Sequence, residues 1–259
     1  MSKYIEIIRI RFLMMLAYRS NYYTGIIIYT INIGAYFFLW KAIYGNQESI
    51  QGVSVNQMTT YVAIAWMARA FYFNNLDREI AEEIREGKVA IELIRPYNYI
   101  LTKVMQGLGE GIFRFFFFSI PGFIIVALIF QLKISFSPTT IGLFLVASVF
   151  SFIINTQLNI LTGLMAFFLQ NNMGFIQAKR VIIDLFSGLT IPITFFPLWA
   201  QDVMKYLPFQ GISYIPSMIF AEGMKGHQMM NALLFQLLWV LILCIPIVLI
   251  WYKAKKHLV

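Results

Sequence analysis

The runs Tyr22–Trp40, Phe115–Leu132, Ile134–Ala178 and Met230–Tyr252 contain no Asp, Glu, Lys or Arg. Their apolar residues do not alternate with polar ones. Phe115-Phe116-Phe117-Phe118 and Ile124-Ile125-Val126-Ala127-Leu128-Ile129 are continuous, whereas a barrel strand would switch faces at every residue. A helix needs about 20 apolar residues to cross a hydrocarbon layer of about 30 Å. Because lipid offers the backbone no hydrogen-bond partners, such stretches must be helical. The pattern predicts an all-α polytopic membrane protein with about six spans, near 22–44, 56–76, 104–131, 139–169, 178–197 and 231–252.

Ile134–Ala178 is long for one span. Dividing it would need a turn near Asn155-Thr156-Gln157-Leu158-Asn159, where no Gly or Pro supplies one. It would also put Lys179 and Arg180 on the side poor in positive charge. One long tilted helix ending near Gln170-Asn171-Asn172 is preferred. Its polar Asn155, Gln157 and Asn159 then face other helices or a water-filled path.

Composition agrees with a lipid solvent: 59% hydrophobic and 12% charged residues, with a mean hydropathy of +0.72. The net charge of +8 would suit nucleic acid, but its placement points elsewhere. With these spans, 14 Lys and Arg residues fall on one side and four (Lys41, Lys133, Lys205 and Lys225) on the other. Both termini are therefore expected in the cytoplasm of a cell in whose inner membrane the chain sits. The basic side would meet anionic lipid heads, and no nucleic-acid partner is expected.

Residues 1–21 do not read as a cleavable signal, since Lys3, Glu6, Arg9, Arg11 and Arg19 interrupt the apolar residues. They read as an interfacial helix turning Ile5, Ile8, Phe12 and Met15 inward. The alternative is a basic flank that only orients the first span.

The chain reads as a single domain, 1–259, and two connecting segments stand out. The loop 77–103 holds six of the twelve acidic residues, far more length and pattern than a connector of about 2–8 residues needs. Asp77–Glu86 is predicted helical, with Ile80 and Ile84 one turn apart and Gly87 ending it. A second short amphipathic piece, Val89–Ile94, stops at Arg95-Pro96. A docking surface for a cytoplasmic partner accounts for this pattern; packing on the membrane surface or on the protein's own loops is the alternative. The outer segment 192–226 carries Pro192, Pro197, Pro208 and Pro216, half of the chain's eight prolines. Apolar sequence broken this often suits short helices re-entering the outer leaflet, with Trp199, Tyr206 and Tyr214 at the interface.

No catalytic constellation is present. His227 and His257 fall near opposite membrane faces, and HExxH, GxSxG and GxxxxGK[ST] do not occur. Cys244 lies within the last span, so neither a disulfide nor a Cys-based metal site is expected. The chain is read as a non-enzyme. Glu110 and Arg114, spaced i,i+4, are the notable ions of the third span. A structural pair is the first reading and substrate contact the second. Arg69 is expected either to pair with Glu110 or to snorkel. Arg180 and Asp184 repeat the i,i+4 spacing, and the Phe115–Phe118 run reads as lipid-facing and packing bulk.

The order of these features resembles the permease subunits of type 2 ABC exporters, specifically the six-helix subgroup. The resemblance covers nearly the full chain. It rests on the N-terminal interfacial helix, the charged loop through Gly87 to Leu93-Ile94-Arg95-Pro96, and the Pro-rich segment before the last span. It implies that about Glu79–Leu93 forms a coupling helix seated on an ATPase, with Glu79, Glu83, Ile84, Gly87, Ile91, Leu93 and Arg95 as docking residues. Arg69, Glu110, Arg114, Asn155, Gln157 and Asn159 become pathway candidates. The resemblance implies no cofactor on this chain and ATP with Mg on the partner ATPase, expected in two copies. A second permease, identical or related, would complete the pathway. The rival readings are a secondary transporter or channel using Glu110 and Arg114, and a non-transporting scaffold; an intramembrane enzyme comes last.

Overall fold

A computed structural model describes residues 2–17, 20–50, 53–132, 137–169, 171–221, 223–224, 226 and 227–258. Arg19, Lys133, Gln170 and Lys225, which enter the span and charge readings, lie outside them. The architecture is almost entirely helical: α1 (Ser2–Ala17), α2 (Ser20–Tyr44), α3 (Val55–Tyr72), α4 (Leu76–Arg85), α5 (Lys88–Ile94), α6 (Tyr99–Arg114), α7 (Ile120–Ile129), α8 (Pro138–Leu164), α9 (Met173–Phe186), α10 (Leu198–Met204), α11 (Tyr214–Phe220) and α12 (His227–Leu258). Ser49–Ile50 and Val53–Ser54 pair antiparallel between α2 and α3. Ser54 then opens α3 with a capping box, exchanging hydrogen bonds with Gln57.

Among the described residues four helices are long and apolar enough to cross a membrane: Thr24–Tyr44, Tyr99–Ile129, Pro138–Phe167 and His227–Lys255. The protein is thus a multi-pass membrane protein. The third of the expected spans joins α6 to α7 through one π-helical turn, Phe115–Ser119. Pro121 stands two residues beyond it; it has no N–H for the carbonyl one turn back and its ring crowds that carbonyl, so the helix widens there. α8 runs unbroken through Asn155–Asn159, as expected for one long helix.

The fifth expected span, 178–197, needs correction. α9 covers only Met173–Phe186. It stops because Gly188 adopts φ +75°, and the backbone beyond is held from outside. The Tyr61 hydroxyl donates to the Gly188 carbonyl, and Tyr214 N–H donates to Ser187 O at 2.8 Å. The proline-rich segment that follows is indeed broken, into a 3-10 turn at Ile193–Phe195, α10, a second 3-10 turn at Pro208–Gly211, and α11. Trp199 and Tyr206 are exposed there, but Tyr214 is buried beside Tyr61 and is no interfacial anchor.

Two apolar cores divide the molecule. The larger joins α2, α3, α8, α11 and α12. The smaller sits at one end and gathers Leu76 and Ile80 of α4, Val89 of α5, Tyr99 of α6, Ile160 and Leu164 of α8, and Trp251 and Ala254 of α12. The Tyr99 and Trp251 rings stack there at 5.1 Å. At the other end of the bundle, Trp40 of α2 meets Phe195 and the Tyr44 hydroxyl reaches Val53 O.

α1 packs along α6. Ile8, Phe12 and Met15 turn inward as expected, whereas Ile5 is 61% exposed and Tyr4 takes its place. The reason is that Arg11 occupies the inward face and sets the helix rotation through its ion pairs. The outer face is apolar too, with Ile5, Ile10, Leu13 and Met14 exposed, which suits a helix lying in a lipid interface.

Candidate coupling site

α3 ends at Phe73, whose backbone is extended (φ −68°, ψ 127°). The chain passes through Asn74 and Asn75 and starts again as α4. A helix end leaves carbonyls without intrahelical donors, and burying them unpaired is costly. Here side chains of neighbouring helices supply the donors. Asn155 of α8 donates to Tyr72 O at 2.9 Å. Arg114 of α6 donates to Phe73 O at 2.5 Å. Asn159 of α8 donates to Asn74 O at 3.2 Å and to its Oδ1 at 2.7 Å. Asn74 in turn donates to Thr156 Oγ1 at 3.1 Å, and Arg180 of α9 reaches Asn75 Oδ1 at 3.2 Å. The elbow between α3 and α4 is held from three helices.

α9 runs antiparallel along α3 and this elbow. Lys179 pairs with the buried carboxylate of Asp77 at 2.5 Å, Arg180 with Asn75, Asp184 with Arg69, and Gly188 with Tyr61. Two expectations are corrected by this register. Arg69 pairs with Asp184, not Glu110. Asp184 is taken by Arg69 and not by its i,i+4 neighbour Arg180. Helix spacing brings two charges near each other, but a partner on a facing helix wins when it lets the guanidinium form a two-pronged contact.

Glu110 does pair with Arg114, as the spacing predicts, and it also accepts from Arg11 of α1 at 3.0 Å. Arg11 meets Glu79 of α4 at 2.5 Å as well. One guanidinium thus ties α1, α4 and α6 together. Burial works against its charge, but the two carboxylates outweigh it and hold Arg11 above its ordinary pKa. Nothing in the sequence marks Arg11 among the five charges of residues 1–21; only its position on the helix face against α6 selects it.

The polar residues of α8 bond to neighbouring helices. Asn155 and Asn159 serve the elbow, and Gln157 donates to Val240 O of α12 at 2.8 Å. Asn74, Asp77, Thr156 and Lys179 belong to the same network and were not singled out from the sequence. The Asn74-Asn75 dipeptide between two helical patterns was the available signal, since Asn favours helix ends.

At the α4–α5 tip the expected residues divide into two groups. Glu83 is held internally by Lys103 at 2.5 Å and the Tyr99 hydroxyl at 2.7 Å, Glu79 by Arg11, and Ile84 and Leu93 pack partly on the smaller core. Gly87 turns the chain with φ +71°, a conformation that favours glycine. Ile91 and Ile94 project instead, 59% and 85% exposed, amid exposed Glu82, Arg85, Glu86, Lys88 and Arg95. Lys88 lies above its ordinary pKa because Glu86 accepts its proton bond at 2.5 Å. Arg95 is raised by the Tyr97 hydroxyl and then by Glu92. The tip thus offers two bare isoleucines within a charged rim.

Below the tip, Ile80 seats α4 on α8 at Gly163, where a Cβ would stand 2.9 Å from the Ile80 Cβ and 3.0 Å from Asp77 O. On the far side of Arg69, a cavity of about 320 Å³ lies between α2, α3 and the α6–α7 junction.

Residues 30–259 match a family model described as "ABC-2 family transporter protein". No curated protein matches the chain.

Proposed function

The chain belongs to the ABC-2 family of transporter proteins, and from that premise we propose that it is the permease subunit of an ATP-driven exporter. It forms half of a translocation pathway and is completed by a second permease, identical or related. The ATPase is a separate chain, present in two copies, that binds ATP and Mg. This chain performs no covalent chemistry. In this reading both termini and the α4–α5 tip are cytoplasmic, on the side carrying most Lys and Arg, and the short helices after α9 close the pathway on the outer side.

The observation that carries the reading is the elbow. A helical hairpin whose second helix, α5, exposes two isoleucines continues through α4 into α3 across a junction gripped by α6, α8 and α9. A push on the tip is then delivered to three bundle helices as a rigid movement and is not lost in a flexible loop. ATP binding would draw the ATPases together, move the tips, and switch the pathway between its inward and outward arrangements.

The test is co-expression with the ATPase encoded nearest to this chain. Ile91→Asp with Ile94→Asp should abolish co-purification of the ATPase while membrane insertion and elution behaviour stay normal. These two positions are preferred to Ile84 and Leu93, whose replacement would also disturb the smaller core. Unchanged co-purification would remove the docking role.

A further inference from the structure

The cavity beside the elbow has a wall composition that the docking and coupling roles do not require. Arg69 and Arg114 both face it, together with Tyr29, Trp66, Phe73 and Phe118. Among the described residues no carboxylate lines it: Asp184 and Glu110, which pair with these arginines, stand behind them. The cavity therefore has a cationic patch at one wall and an aromatic and aliphatic surface elsewhere. It reaches the bundle surface at Ile28, which is 56% exposed. At about 320 Å³ it lies in the range of small-molecule sites, about 300–1,000 Å³.

The surrounding ion balance points the same way. The connected network of the elbow contains Arg11, Arg69, Arg114, Lys179 and Arg180 against Asp77, Glu79, Glu110 and Asp184, five cations to four anions. The Phe73 ring is faced by three of those guanidinium groups, Arg69 at 5.2 Å, Arg180 at 5.4 Å and Arg114 at 5.7 Å. Concentrating positive charge at membrane depth is costly unless an anion joins it. Guanidinium groups with unused N–H donors suit a phosphate or carboxylate.

The geometry points to a binding site for an anionic amphiphile, its acidic head on Arg69 and Arg114 and its apolar part along Tyr29, Trp66 and Phe118. Two sources share this chemistry: an acidic membrane phospholipid, and a free single-chain amphiphile of the kind an exporter could take as cargo. The inference stands apart from ATPase docking, because binding requires neither nucleotide nor partner.

Native mass spectrometry of the purified full chain tests it. The probes are decyl phosphate and phosphatidylglycerol, each set against a counterpart without net charge and with matched chains, decyl glucoside and phosphatidylcholine. A one-to-one adduct is expected with at least one acidic probe. It should weaken on the order of tenfold or more in Arg114→Gln, and as much in Ala70→Phe, which fills the cavity from its wall. Arg114 also holds the Phe73 carbonyl; should Arg114→Gln fail to fold, Ala70→Phe carries the test, since Ala70 makes no ion pair. A preference for phosphatidylglycerol identifies a lipid site, and one for decyl phosphate a cargo site. Equal retention of the counterparts without net charge, unchanged binding in Ala70→Phe, or no adduct with either acidic probe would overturn the inference. The co-purification test above is read separately, so either result can fail without the other.

Discussion

Asn159 of α8 donates to both the side-chain and the backbone oxygen of Asn74, at 2.7 and 3.2 Å, in the three-residue gap between α3 and α4. Asn74 and Asn159 are both buried, so neither has water as an alternative. The contact explains how a chain break at the end of α3 stays rigid. The freed carbonyl is not left to find its own partner but is met by an amide from a helix that does not change direction.

Asn159→Leu should therefore uncouple the elbow. Taking the Asn159 amide donor from the two Asn74 oxygens is expected to cost about 1–2 kcal/mol. The thermal midpoint of the purified protein would fall. An unaltered midpoint would mean that Asn74 finds a substitute donor and that the pair is not the clamp described.

Arg69 and Asp184 link α3 to α9. Arg69→Leu or Asp184→Leu alone should destabilise, because each strands a partner that is partly buried. The exchange Arg69→Asp with Asp184→Arg should recover part of the loss. Recovery with Glu110→Arg in place of Asp184→Arg would show instead that Arg69 pairs across to α6.

Gly163→Leu tests the seating of α4 on α8. A side chain there meets Ile80 and the Asp77 carbonyl at once, and the backbone oxygen cannot swing aside. Overpacking of this kind is expected to cost about 1–3 kcal/mol. A cysteine cross-link between α4 and α8 should form more slowly in the variant; an equal rate would show that α4 can shift without strain.

Arg11→Leu removes the tie between α1, α4 and α6. Glu110 keeps Arg114, so the cost should be moderate, about 1–2 kcal/mol, and the main effect should be release of α1. Limited proteolysis near residue 17 should accelerate in the variant. Protection equal to the parent would mean that Ile8, Phe12 and Met15 hold α1 by apolar packing alone.

The helices themselves were legible in the sequence because lipid imposes one strong condition. Uncharged runs of spanning length must become helices, and those around 22–44, 104–131, 139–169 and 231–252 correspond to the four long apolar helices observed. The α4–Gly87–α5 pattern was legible for a local reason: charge spacing, a glycine that accepts positive φ, and a proline that stops the next piece all act within a few residues. The end of α9 was not legible from apolar content. Ser187 and Gly188 are fixed by Tyr214 and Tyr61, distant in the chain, and composition carries no record of such partners.

The same division holds at the candidate site. Glu110 and Arg114 could be paired from spacing, because i,i+4 neighbours on a helix always lie side by side. Arg69 could not be assigned to Asp184, nor Arg11 to Glu79 and Glu110, nor Asn159 to Asn74, since each pair depends on which helix faces which. The sequence by itself determined the four long apolar helices, where the charged tip lies and where local geometry turns the chain, because those follow from solvent transfer and backbone sterics. Only the tertiary structure decided the ion partners, the gripped elbow and the cationic cavity, because in a low-dielectric bundle a polar group settles with whichever partner packing brings within reach.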